Sequence, residues 1–230
     1  YFHGGGFVAG SIDTPDAITW GLAEATGALV ISVQYRRPPE SPFPAAPDDC
    51  WSALHWAAAS ADWLGADPSR IAIAGDSAGG CLTASLAIRI RDRQGPPIRL
   101  QLLLYPCLDT NTRRPIYATA KDPFVSSAGM GFYWDKYLEG RIDTTDPIAV
   151  PFAARSLAGL APAYVQTAEH DPLAEEAEEY AARLAAAGVP TTVDRVPGTV
   201  HGLMRARFAS AVCQAAFERA ATAVRNALDA

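Results

Sequence analysis

The stretch from Arg70 to Arg93 constrains the fold most. It reads Arg-Ile-Ala-Ile-Ala, then Gly75-Asp76-Ser77-Ala78-Gly79-Gly80, then an Ala-rich run to Arg93. The first five residues predict a buried strand and residues 78–93 predict a helix, with almost no chain between them. A strand that turns so sharply into a helix crowds the residues two before and two after the turn. Only small residues, here Gly75 and Gly79, leave space. The Ser77 hydroxyl is then lifted clear of the backbone at the positive end of the following helix. A Gly-rich turn that merely caps a helix with serine is the alternative reading.

The same rhythm continues along the chain. Apolar, β-branched runs at 28–35, 100–105, 163–168 and 191–196 alternate with helical patterns at 15–26, 47–61, 173–187 and 207–229. Such alternation predicts an α/β fold, a mostly parallel sheet with helices on both faces. Pro15 stands at a first helical position behind Asp13-Thr14, and Gly188-Val189-Pro190 is a helix stop. Residues 107–160 break the rhythm. They are too long for an ordinary connection and carry Tyr117, Phe124, Phe132, Tyr133, Trp134, Tyr137 and Phe152. We read this segment as a partial helical lid between core residues 1–106 and 161–230, with Phe124 and Trp134 forming one wall of a pocket. A structural insertion packed elsewhere is the alternative.

Composition narrows the function. A net charge of -6 disfavours nucleic acid and anionic membrane surfaces, which would repel the chain. No apolar run approaches the roughly 18 residues of a membrane span. Cys50, Cys81, Cys107 and Cys213 are far apart and form no metal-ligand spacing with histidine, so a zinc site is not expected. Buried, reduced thiols suit them best. The chain opens at Tyr1 without Met, so targeting is not readable from that end, and cytoplasmic is only the default.

Ser77 needs a base and an acid. His3 and His55 precede it, whereas in the α/β-hydrolases, whose G-x-S-x-G turn Gly75–Gly79 resembles, the order is serine, acid, histidine. His170 abuts Asp171, and neighbouring side chains on an extended segment diverge. His201, in a loop past the strand at 191–196, is therefore the base. Asp171, directly after the strand at 163–168, is the acid, with Glu169 its nearest competitor and a helix cap its bland reading. Glu175, Glu176, Glu178 and Glu179 read as a solvated helical face. At the front, His3-Gly4-Gly5-Gly6-Phe7 allows close backbone approach. The N–H groups of Gly5 and Gly6 would join that of Ala78 around a developing alkoxide. A phosphate-cradling loop is the rival, but no Lys-Ser/Thr follows it.

Together these residues resemble the bacterial hormone-sensitive-lipase-like esterases, the family IV lipolytic enzymes of α/β-hydrolase fold. The likeness runs in order through His3–Phe7, Tyr35-Arg36, Glu40–Ala46, Gly75–Gly80, Tyr105-Pro106, Asp171-Pro-Leu173 and His201-Gly202. It implies a Ser77, Asp171 and His201 triad, an oxyanion hole of Gly5, Gly6 and Ala78, no cofactor, and short- or medium-chain acyl esters as small-molecule substrates. A homodimer follows from the resemblance alone. Cys81, Leu203 and Arg37-Pro38 depart from the family's usual residues. The resemblance also implies further residues before His3, including a strand in mid-sheet. The 230-residue chain is thus expected to be a fragment that folds and turns over poorly alone. An amide or peptide hydrolase on the same triad, and a silent ligand-binding protein, are the competing functions.

Overall fold

The computed structural model describes all 230 residues. Four strands form one fully parallel sheet in chain order: β1 (Ala72–Asp76), β2 (Leu100–Leu104), β3 (Ala163–Ala168) and β4 (Thr191–Val196). The helices are α1 (Asp16–Thr26), α2 (Ala45–Ala59), α3 (Ala61–Leu64), α4 (Ala78–Arg93), α5 (Ile116–Thr119), α6 (Ser127–Leu138), α7 (Ala174–Ala186) and α8 (Ala211–Asp229). No helix is long and apolar enough to cross a membrane.

The two-residue period of a strand distributes the core. Leu102 and Leu104 of β2 pack with Ile18 and Leu22 of α1 and Phe217 of α8. Leu103, between them, packs with Ala84 and Ile88 of α4 and Tyr180 and Leu184 of α7. Both faces are covered, as an all-parallel sheet requires. Register then sets the site: Asp76 pairs with Leu104, and Ala168 with Val196. The chain therefore leaves β1, β3 and β4 at one edge of the sheet, towards Ser77, Asp171 and His201.

One predicted strand is not formed. Of residues 28–35, only Val33 joins the sheet, through a parallel bridge to Phe2, which bridges Gly75 on its other side. Phe2 N–H donates to Ala74 O at 2.9 Å and Val33 N–H to Tyr1 O at 3.0 Å. A ladder needs a partner along its length, and here it ends with these residues. Beside them an apolar cleft of about 330 Å³ runs between Leu29–Val33 and Ile71–Ala74. The last helix also begins later than predicted. Residues 203–206 form a 3-10 turn, and the Ser210 hydroxyl caps α8 by accepting from Cys213 N–H at 3.4 Å.

Residues 107–160 hold α5, α6 and a 3-10 turn at Pro151–Ala153. The Ser126 hydroxyl caps α6, accepting from Gly129 N–H at 3.1 Å. The inner face of α6 (Met130, Trp134, Tyr137, Leu138) is buried in the same cluster as Leu54 of α2 and Leu82 and Leu86 of α4. Phe7 stacks on Tyr137 with ring centres 4.0 Å apart. Trp134 thus faces the core, 1% exposed, and does not line a pocket as the sequence reading expected. All four cysteines are free and buried.

Candidate active site

Ser77 sits between β1 and α4 with φ 54° and ψ -118°, a region that costs a non-glycine residue about 1–3 kcal/mol. Its neighbours hold it there. Ser77 N–H donates to Leu104 O at 2.9 Å, and its carbonyl accepts from Cys81 N–H at 3.1 Å and Cys107 N–H at 3.3 Å. The turn is as tight as its glycines suggest. A Cβ on Gly75 would stand 2.2 Å from Gly79 O, and one on Gly79 would stand 1.9 Å from Phe2 O.

Asp171 follows β3 and is fully buried. Its Oδ1 accepts from Leu173 N–H at 2.9 Å, which fixes the carboxylate and leaves Oδ2 2.6 Å from His201 Nδ1. The competing acid Glu169 instead accepts from Gly198 N–H at 2.7 Å. His170 contributes its backbone N–H to Thr199 O. His201 Nε2 lies 2.8 Å from Ser77 Oγ. A carboxylate can only accept, so the proton sits on Nδ1 and Nε2 accepts from the serine hydroxyl. Burial pulls the imidazolium pKa down, but the Asp171 charge and hydrogen bond, with Asp122 and Asp76 behind them, hold it above the ordinary histidine value. The ring of Tyr105 meets the imidazole edge-on at 5.0 Å.

Sequence reasoning missed Asp122, in the segment between β2 and β3. Its Oδ2 accepts from His201 backbone N–H at 2.5 Å, and its Oδ1 from the N–H groups of Phe124 and Val125 at 2.8 and 3.0 Å. One carboxylate thereby ties the segment just before α6 to the histidine loop. An Asp before Pro123 signals only a turn, so nothing local could have revealed this.

Gly5 and Gly6 take φ values of 129° and 59°. Neither N–H enters the backbone hydrogen-bond network. His3 anchors this loop: it is buried, stacks on Tyr35 at 4.3 Å, and donates from Nδ1 to Gly4 O at 2.8 Å. A Cβ on Gly6 would fall 2.5 Å from the Tyr133 ring, so α6 reaches down onto the glycine loop. Gly5, Gly6, Ser77 and His201 open into a cavity of about 660 Å³, walled on the α6 side by Phe124, Met130 and Tyr133. No cluster of three or more His, Cys, Asp or Glu is arranged to hold a metal. The arrangement can deprotonate a hydroxyl beside a set of backbone donors.

A family described as alpha/beta hydrolase fold matches residues 1–205. The chain is 44% identical over 204 residues to esterase LipI of Mycobacterium tuberculosis, covering 88% of this chain and 64% of LipI. It is 39% identical to carboxylesterase NlhH of the same organism, over all of this chain and 73% of NlhH. Among solved structures, a bacterial heroin esterase superposes with a TM-score of 0.92 at 37% identity, over 99% of this chain and 73% of that one. The chain thus spans just under two thirds of LipI and nearly three quarters of the other two.

Proposed function

Since this chain belongs to the alpha/beta hydrolase fold family, we propose that it is a serine carboxylester hydrolase acting on short- to medium-chain acyl esters through an acyl-enzyme. One observation carries the reading: Ser77 Oγ, His201 and Asp171 are linked at 2.8 and 2.6 Å at the floor of an open cavity.

Ser77 Oγ attacks the ester carbonyl carbon as His201 Nε2 takes its proton. The carbonyl π pair moves onto oxygen, where the N–H groups of Gly5, Gly6 and Ala78 stabilise the alkoxide. Collapse expels the alcohol, which leaves with the proton from Nε2. Water then attacks the acyl-serine with His201 again as base, releasing the acid and restoring the serine. Asp171 stabilises the imidazolium formed in each half. Ester names among the relatives support this choice of leaving group over an amide.

The test is to assay p-nitrophenyl acyl esters of increasing length beside the matching anilide. We expect ester turnover, little anilide turnover, and kcat/KM that rises by up to roughly fourfold per added CH₂ and then falls once the cavity is full. Anilide cleavage at the ester rate would replace this reading with an amidase, and no turnover of either would leave a binding protein.

A further inference from the structure

Arg205 lines the catalytic cavity and is the only lysine or arginine that does so. It lies in the 3-10 turn that follows His201, and its side chain is 54% exposed. Its nearest acidic partner is Asp76 Oδ2 at 3.7 Å, beyond hydrogen-bond reach. Asp76 is otherwise engaged: its Oδ1 accepts from Tyr1 OH at 2.9 Å and from Gly4 N–H at 2.8 Å.

Other arginines of the chain are used structurally. Arg114 is held by Asp109, Glu175 and Glu179. Arg207, two residues on, is buried, donates to Ala17 O and packs on the ring of Phe217. Arg205 donates no side-chain hydrogen bond to the protein, and beyond its 3.7 Å ion pair with Asp76 the fork is left to solvent and to whatever fills the cavity.

The rest of the wall sharpens the consequence. Phe124, Val125, Met130, Tyr133 and Val212 offer apolar surface. A neutral substrate that covers Arg205 strips water from a cation without replacing its hydrogen bonds. A carboxylate placed there accepts from two parallel N–H donors. The resulting discrimination runs against the neutral ester as well as for the anion.

Resting on the ester-hydrolase reading above, we propose that Arg205 makes this site selective for esters that carry a second, ionised carboxylate. The experiment compares wild type with Arg205→Gln and Arg205→Lys on two matched pairs. Mono-p-nitrophenyl adipate against p-nitrophenyl hexanoate places the charge on the acyl side. 4-Acetoxybenzoate against 4-acetoxybenzamide places it on the leaving-group side.

In at least one pair, Arg205→Gln lowers the anionic-to-neutral ratio of kcat/KM by about tenfold, chiefly through KM, and Arg205→Lys restores part of it. The pair that responds says which side Arg205 faces. If both esters of each pair fall by the same factor, or neither ratio moves by more than twofold, the inference is overturned and Arg205 serves only to screen Asp76. If wild type hydrolyses neither neutral nor anionic ester, the ester-hydrolase reading fails and takes this inference with it. Turnover of the neutral esters by wild type separates the two failures.

Discussion

Ser77 occupies a strained backbone position with a hydroxyl that serves no packing role, so removing the oxygen should cost activity and not the fold. Ser77→Ala and His201→Ala should each lower kcat by up to about 10⁶, and Asp171→Asn by about 10⁴, with thermal midpoints close to wild type. His170→Ala should stay within a few-fold of wild type. The reverse order for the two histidines would overturn the assignment of the base. Asp122 gives a subtler prediction. His201 must be neutral to act, and its pKa is held high, so the acid limb of kcat/KM lies above the ordinary histidine value. Asp122→Asn removes one of the raising charges and should move that limb to lower pH. An unchanged limb, read in a pH profile, would show that Asp122 acts only on loop order. The three residues that meet at the site were legible because chain order and flanking strands leave few candidates. Asp122 was not, since its partner is a backbone N–H 79 residues away, and a sequence shows side chains but not which amides lie open.

The strand-to-helix turn and α6 make opposite demands on glycine. A Cβ at Gly79 would enter the backbone carbonyl of Phe2, whereas one at Gly131 on α6 meets nothing within 4 Å. Gly79→Ala should therefore destabilise the protein by about 3 kcal/mol or more, if it folds at all. Gly131→Ala should stabilise it by about 0.5–1 kcal/mol by restricting the unfolded chain. Urea midpoints decide both, and equal effects would refute the packing argument. Most elements were legible for the same local reasons, and α4 was read to the residue because its ends are chemically marked. Residues 28–35 have the composition of a strand, yet only Val33 is bridged. Composition reports what a segment suits, while a strand also needs a neighbour along its length. Trp134 was misplaced because an aromatic-rich helix does not say which face turns inward until its packing partners, Phe7 and Tyr137, are known.

Across the whole molecule, the acid most at odds with its surroundings is Glu176 of α7, which the sequence reading placed on a solvated face. It is fully buried. Its Oε1 accepts from the N–H groups of Leu108 and Asp109 at 2.6 and 3.2 Å, and its Oε2 has no partner. Burial pushes its pKa up to about 8 from an ordinary 4.5. Below the ordinary value both folded and unfolded chains carry the proton. Between the two values the unfolded chain releases it while the folded one keeps it, so stability falls as pH rises towards about 8. Glu176→Gln keeps the acceptor and should flatten that decline, by on the order of 3–5 kcal/mol at its alkaline end. Thermal midpoints from pH 5 to pH 9 that fall equally in both proteins would refute it. The buried face of α6 described above, packed with α2 and α4 and stacked on Phe7 beside the glycine loop, has a last consequence. Heat cannot loosen the roof of the cavity while sparing its floor, because the two share one set of contacts. The catalyst is then all-or-none, and after any thermal challenge the surviving turnover counts the molecules still folded.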